Sequence, residues 1–310
     1  MSKIRVAVVG AGQFGRNHVR VARESTRSEL VAVVDTDPAR AHEAAAGCLA
    51  FTDYRELRGC VDAAIIAAPT IAHAEIGCEL MQAGIDVLVE KPIAADLESA
   101  GRLIETARAS GRILQVGHLE RYNPAVLALE QIVTHPLFFE IHRMNLFSPR
   151  SLDVDIVLDL MIHDLDIVLH LVGAAELEEI RAAGVSILSE KVDIGNVRLQ
   201  FRGGCVANLT ASRVSQERVR KVRFFSSEAY ISVDTKEQEV KGFQLGNRAI
   251  EPIQVRVEKK EPLRAELESF LQCVRDRKRP LVSGEDGVSA VALAKEVAAA
   301  IEASMRKWRR

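Results

Sequence analysis

Ile4-Arg5-Val6-Ala7-Val8-Val9-Gly10-Ala11-Gly12-Gln13-Phe14-Gly15 is an apolar run that ends in glycines spaced Gly-x-Gly-x-x-Gly. The run predicts a buried strand, and the spacing predicts a tight turn into a helix that continues to about Glu24. In that setting Gly10 frees the turn, Gly12 lets a pyrophosphate approach the backbone, and Gly15 lets helix and strand pack closely. The helix N-terminus then faces the phosphates with its partial positive charge, and Gln13 and Phe14 join the contacts. A purely structural turn would not need a strand before the glycines and a helix after them.

Working outward, further apolar runs predict strands at Leu30–Val34, Asp62–Ala67, Asp86–Val89 and Ile113–Val116. Helical segments at about 38–46, 71–83 and 97–109 separate them. This alternation predicts a right-handed parallel sheet, a Rossmann-type α/β domain over residues 1–120. The pattern changes near residue 120. A helix at 124–133, a strand at 138–147 and a long helix at 156–171 precede closely spaced strand-like runs from Glu178 to Leu245. Arg202-Gly203-Gly204 is a hairpin signal between two of them. Residues 121–310 therefore predict an α+β domain with a large open mixed or antiparallel sheet, closed by helices at about 263–276 and 287–306. Few helices remain to cover both faces of that sheet. An apolar face left open predicts a homodimer or homotetramer.

At 310 residues with 48% apolar and 27% charged content, the chain suits two globular domains. A net charge of −2 gives no reason to expect nucleic acid or an anionic membrane as partner. No apolar stretch approaches the roughly 20 residues that span a bilayer. The first residues run into a strand with no signal-peptide core. Cys48, Cys60, Cys78, Cys205 and Cys273 are scattered and odd in number, which predicts free thiols in a reducing cytoplasm.

Asp35 ends the second strand, 20 residues after Gly15. A carboxylate there accepts from a ribose diol and repels a 2′-phosphate, which favours NAD over NADP, with Arg40 close by as a counterweight. Asp37 reads as the cap of the helix starting at Pro38. Pro69, Thr70 and His73 occupy another strand-to-helix corner on the rim of the same crevice and are further cofactor candidates. Glu90-Lys91-Pro92 follows the Val87-Leu88-Val89 strand. Lys91 near an oxidised nicotinamide would handle the proton of a reacting hydroxyl, and Glu90 would orient its neighbours. Over a helix taken from Asp155 to Leu171, Asp155, Asp159, His163, Asp166 and His170 fall within a stripe of about 80° at about 100° per residue, with Asp164 opposite. Asp159 and His163 form an i,i+4 pair in which the carboxylate would fix the tautomer of an imidazole base. With no cysteine and no HxxxH pair beside them, a metal site is not expected. His118, Arg121 and Asn123, at the domain junction, and Arg150 are candidates for binding the substrate, Arg121 being suited to phosphate. An interdomain brace is the plainer reading of 117–124. These features read together as a nicotinamide-dependent dehydrogenase.

The glycine loop, Glu90-Lys91-Pro92 and Asp159-x-x-x-His163 together resemble the glucose-fructose oxidoreductase, inositol dehydrogenase and rhizopine catabolism (Gfo/Idh/MocA) family over essentially the whole chain. The resemblance implies NAD(P)-dependent oxidation or reduction of sugars, inositols or nucleotide sugars, and an open sheet often used for oligomerisation. By matching motif, Lys91, Asp159 and His163 become the catalytic group, and Gly10, Gly12, Gly15 and Asp35 bind the cofactor. Gly117-His118-Leu119-Glu120-Arg121-Tyr122-Asn123-Pro124 looks most like members that oxidise the 3-hydroxyl of UDP-N-acetylglucosamine. A free sugar or inositol as substrate is the alternative. A non-catalytic nucleotide sensor is the rival of another class, and the presence of Lys91 and His163 argues against it. Asp155 departs from the glycine that many members carry before the catalytic helix.

Overall fold

The computed structural model describes residues 2–133, 135–147, 155–173, 176–246, 249–253 and 255–308. Arg150 lies outside them. The chain runs β1 (Ile4–Val9), α1 (Gln13–Glu24), β2 (Ser28–Val34), α2 (Pro38–Ala45), β3 (Leu49–Phe51), β4 (Ala63–Ile66), α3 (His73–Gln82), β5 (Asp86–Glu90), α4 (Leu97–Ser110) and β6 (Leu114–Gly117). It continues through α5 (Pro124–Glu130), β7 (Phe138–Leu146), α6 (Ile162–Val172), β8 (Leu177–Val185), β9 (Ile194–Phe201), β10 (Val206–Ser215) and β11 (Val219–Phe225). The remaining elements are β12 (Ala229–Asp234), β13 (Glu239–Leu245), β14 (Ile250–Ile253), α7 (Pro262–Asp276) and α8 (Gly284–Trp308). Two compact units result: Met1–Tyr122 with Glu261–Val288, and Asn123–Lys260 with Ser289–Arg310.

In the first unit six parallel strands are ordered β3-β2-β1-β4-β5-β6. Strand order reverses between β1 and β4, and ligands of such sheets sit outside the carboxyl ends at that point. The continuous apolar runs are explained by burial on both faces. Val6, Val8, Val33, Ile65 and Leu88 form one cluster with Val19 and Val21 of α1 and Leu267, Phe270 and Leu271 of α7. On the opposite face α3 comes so close that a Cβ on Gly77 would meet Leu103 of α4 at 2.5 Å, with Ile66 and Val89 just beyond. α7 follows the strands of the second unit in sequence, yet it completes the core of the first.

The second unit holds an eight-stranded mixed sheet, ordered β14-β13-β12-β11-β7-β10-β9-β8. β10 pairs with β7 in parallel and the other pairings are antiparallel. The expected hairpin joins β9 to β10, with Gly203 and Gly204 at φ 98° and 92°, the left-handed region that glycine enters without strain. Period-two alternation sends Phe139, Ile141, Val197, Leu199, Leu209 and Phe224 inward. The other face is not the apolar patch expected from the sequence. Its rungs are polar: Asn208 donates to Glu140 at 3.2 Å, Arg198 to Asn208 at 3.3 Å, Asn196 to Thr210 at 2.8 Å and Arg223 to the His142 ring at 3.1 Å. Strict alternation had already placed the aliphatic residues inside. An aromatic row interrupts the polar face, Phe225 lying 5.3 Å from Phe138 and 5.0 Å from Tyr230 between ring centroids.

The long helix expected at 156–171 is built differently. Asp155 accepts the Val157 N–H at 2.8 Å, Val157–Met161 form a π turn, and only then does α6 begin. π turns are rare inside helices and concentrate at functional sites. Asp164, the residue opposite the polar stripe, meets Arg143 of β7 through two charge-assisted bonds of 2.8 and 2.7 Å, with both side chains under 5% exposed. This pair pins α6 to the sheet. Arg143→Ala should remove both charge-assisted bonds to the buried Asp164 carboxylate and lower stability by about 3–5 kcal/mol in urea unfolding, whereas the double change Arg143→Met, Asp164→Leu should recover most of the loss. Equal losses in the single and double variants would show that the pair does not hold the helix.

Candidate active site

The carboxyl ends of β1, β2 and β4 open onto a cleft of about 520 Å³ lined by Gly10, Gly12, Asp35, Arg40, Tyr54 and Pro69 among others. Gly10 sits at φ +100°, and a Cβ there would stand 2.5 Å from the Ala67 carbonyl oxygen; a Cβ on Gly15 would stand 1.8 Å from that of Gly10. Around Gly12, by contrast, a Cβ would meet nothing within 4 Å. So Gly10 and Gly15 close the corner while Gly12 leaves room above it. Gly12 is the N-cap of α1 and supplies no side-chain cap, and a helix N-terminus with its partial positive charge suits an anion. These residues fit a dinucleotide pyrophosphate. Gln13 opens α1, and Phe14, 42% exposed, stands edge-on to the His18 ring at 5.4 Å.

Asp35 braces this loop as well as lining the cleft. Its Oδ2 accepts the Ala11 N–H at 2.7 Å and its Oδ1 the Asp37 N–H at 2.9 Å. A carboxylate oxygen has lone pairs to spare beyond one such bond, so a ribose diol can still be met. Asp37 caps α2 as expected, accepting from Ala39 N–H at 2.9 Å. Thr70 opens a short 3-10 turn and gives no side-chain cap. His73 is buried rather than on the surface, its ring 2.8 Å from the Ala68 carbonyl oxygen and 3.0 Å from that of Pro92. It ties the β4 corner to the Lys91–Pro92 corner. Burial lowers its pKa, against the pull of those carbonyls.

Glu90 ends β5 opposite Gly117 of β6. A Cβ on Gly117 would sit 3.0 Å from the Glu90 carboxyl, so the glycine keeps that space open. Glu90 Oε2 accepts the Lys91 N–H at 3.2 Å, and Oε1 lies 2.7 Å from His18 Nε2. Lys91 itself is half-buried and precedes a cis peptide to Pro92. His118 is fully buried, and burial first, then the Lys91 and Arg121 cations, push its pKa down to about 3. A neutral imidazole results, available for hydrogen bonding but not as a charge. Arg121, expected to face a phosphate, has a side chain only 1% exposed inside the first unit.

In the second unit Asn123 caps α5 by accepting the Ala125 N–H at 3.0 Å and donates to the Thr235 carbonyl at 2.8 Å. Asp159 lies in the π turn and His163 near the start of α6, both half-buried. Elsewhere on the expected stripe Asp166 is buried and His170 pairs with Glu130 at 2.9 Å. Burial raises the pKa of Asp155, whose carboxylate accepts the Val157 N–H.

Arg40, noted beside Asp35, does line the cleft, whereas sequence reading missed Tyr54 as a wall of it, and His18 and Glu266 near Glu90. Tyr54 follows β3, a strand of three residues that leaves no periodic signal. His18 sits on the buried face of α1, where a lone histidine looks like core.

Residues 4–118 match the family described as "Oxidoreductase family, NAD-binding Rossmann fold", and 134–232 match the "GFO/IDH/MocA C-terminal domain". Over 99% of its length the chain is 36% identical to the UDP-N-acetylglucosamine 3-dehydrogenase of Acidithiobacillus ferrooxidans, spanning 100% of that protein. A solved structure of that enzyme superposes with a TM-score of 0.91 at 37% identity, covering 98% of this chain and 99% of that one. The myo-inositol 2-dehydrogenase of Thermotoga maritima is 27% identical over 94% of each chain. Full-length likeness, both domain matches and the glycine-loop geometry agree: the chain belongs to the Gfo/Idh/MocA family of NAD-binding oxidoreductases.

Proposed function

We propose that this protein oxidises the 3-hydroxyl of UDP-N-acetylglucosamine, or of a closely related UDP-amino sugar, to a ketone with NAD. The observation that carries this reading is the end-to-end 36% identity with the A. ferrooxidans enzyme. Residues 1–120 form the NAD-binding domain in this reading, and 121–310 bind substrate and carry the oligomer interface. Gly10, Gly12, Gln13, Phe14, Gly15, Asp35, Pro69, Thr70, His73 and Glu90 frame the cofactor, directly or through the loops they hold. NAD, when bound, supplies the hydride acceptor. His163 removes the hydroxyl proton, Asp159 holds the imidazole in the accepting tautomer, and Lys91 stabilises charge at the oxygen. His118, Arg121, Asn123 and Arg150 serve the substrate side; Asn123, with both ends of its amide engaged, does so by shaping the backbone. Five free thiols fit the cytoplasm. Among the described residues no helix is long and apolar enough to cross a membrane.

The test is NADH formation across a panel of UDP-sugars and free polyols. UDP-N-acetylglucosamine should give the highest kcat/KM, and NAD should outperform NADP because Asp35 would repel a 2′-phosphate. Preferential turnover of myo-inositol would assign the chain to the inositol branch instead.

Turnover should fall by about 10²–10⁴-fold in His163→Ala and comparably in Lys91→Ala, with NAD affinity intact by calorimetry. Undiminished turnover in His163→Ala would remove that residue from the chemistry.

We also propose a homodimer or homotetramer joined through the open face of the eight-stranded sheet. Its cross-strand polar rungs and aromatic row suit a wet, specific interface. Light scattering at micromolar concentration should give a multiple of the 34.0 kDa chain mass. A monomer would refute the assignment.

A further inference from the structure

Behind the Glu90–Lys91 corner the first unit encloses titratable groups that the proposed chemistry does not use. His18 on α1, Glu90 at the end of β5 and Glu266 on α7 are 1%, 7% and 0% exposed. One polar side-chain atom from each lies within 4.8 Å of the others. Glu90 is held by the His18 ring at 2.7 Å and accepts the Lys91 N–H at 3.2 Å. The two Glu266 carboxyl oxygens have no hydrogen-bond partner among the described residues, although its backbone carbonyl accepts the Gln115 amide at 3.3 Å. Two carboxyl groups this close and this deeply buried cannot both stay ionised, and one keeps its proton. The charge belongs where the donors are, on Glu90.

We propose that Glu266 is held as a neutral carboxylic acid, leaving Glu90, gripped by His18 and the Lys91 amide, as the single anion behind Lys91. Glu266 and His18 are then positioning residues of that corner. Burial, with the Glu90 charge added, pushes the Glu266 carboxyl well above the ordinary range. Tyr122, in the turn after β6, lies close to it, and burial above all pushes the Tyr122 phenol well above its ordinary range. Beyond Glu90 lie Lys91, Arg121 and Asp286, which surround His118. The positioning role rests on the reading of Lys91 as catalytic; the protonation of Glu266 does not.

Infrared spectra of the wild type should contain the carbonyl stretch of a buried carboxylic acid, shifted in D₂O and lost in Glu266→Gln. Unfolding gives an independent readout. Glu266 keeps its proton in the fold and loses it on unfolding above the ordinary carboxylate pKa. Its contribution is therefore full below that value and declines as pH rises toward the folded-state pKa. Relative to Glu266→Gln, the wild-type folding constant should fall by up to about tenfold per pH unit as pH rises above about 5, until the folded-state pKa is reached. In turnover, Glu266→Leu should lose about ten- to a hundredfold in kcat with NAD affinity unchanged, and the isosteric Glu266→Gln should restore it.

Absence of the infrared band, or a stability difference flat with pH, would overturn the protonation. So would a stoichiometric metal in the wild type that Glu266→Gln lacks, since the trio would then be a cation site. Wild-type turnover in Glu266→Leu would overturn the positioning role alone. If no sugar is oxidised, the infrared and unfolding results still decide the first claim.

Discussion

The Gly10 carbonyl oxygen lies 1.8 Å from the place a Cβ on residue 15 would occupy. No side chain survives that approach, so the β1–α1 corner closes only with glycine at both ends. Everything along α1 follows from how tightly the helix is drawn down. Its N-terminus reaches the cleft, and one turn later His18 reaches Glu90. Had the corner been looser, the anion site and the support of the Lys91 backbone would have been lost together. One steric constraint thus couples the cofactor cradle to the strand end two positions along the sheet.

Water exclusion organises the rest of the first unit's site. Lys91, Arg121, Glu90, Asp286, His118 and Glu266 are gathered at the ends of β5 and β6 and on α7 and α8, mostly buried. In such a place each added charge is costly unless balanced, so neutral forms are favoured wherever no partner exists. The low pKa of His118 and the high pKa of Glu266 are opposite responses to that one pressure. Gly117 contributes by absence, since any side chain would displace the Glu90 carboxylate.

Much of this was legible from sequence. The strands that make the parallel sheet were continuous apolar runs, and the second sheet announced itself through alternation and the Gly203-Gly204 turn. Glu90-Lys91-Pro92 and Asp159-x-x-x-His163 stood out because polar residues interrupted apolar segments. Other features left no local trace. β3 is too short to show a period. The π turn at Val157–Met161 depends on hydrogen-bond register that side-chain spacing does not encode. The polarity of the second sheet's open face is carried by strand alternation, whereas a count of covering helices points to an apolar patch that the alternation does not leave. His18 and Glu266 are 248 positions apart in sequence, and only the packing of α7 against α1 makes them neighbours.

That packing also has a consequence for how the chain is made. α7 supplies Leu267, Phe270 and Leu271 to the first unit's core, but residues 123–260 must be synthesised before it appears. At about 5–20 residues per second this leaves roughly 7–28 s in which β1–β6 exist without the helix that seals one face. During that interval the nascent sheet lacks the cover that Leu267, Phe270 and Leu271 give one of its faces. Vectorial synthesis therefore delays completion of the nucleotide domain until nearly the whole polypeptide has emerged.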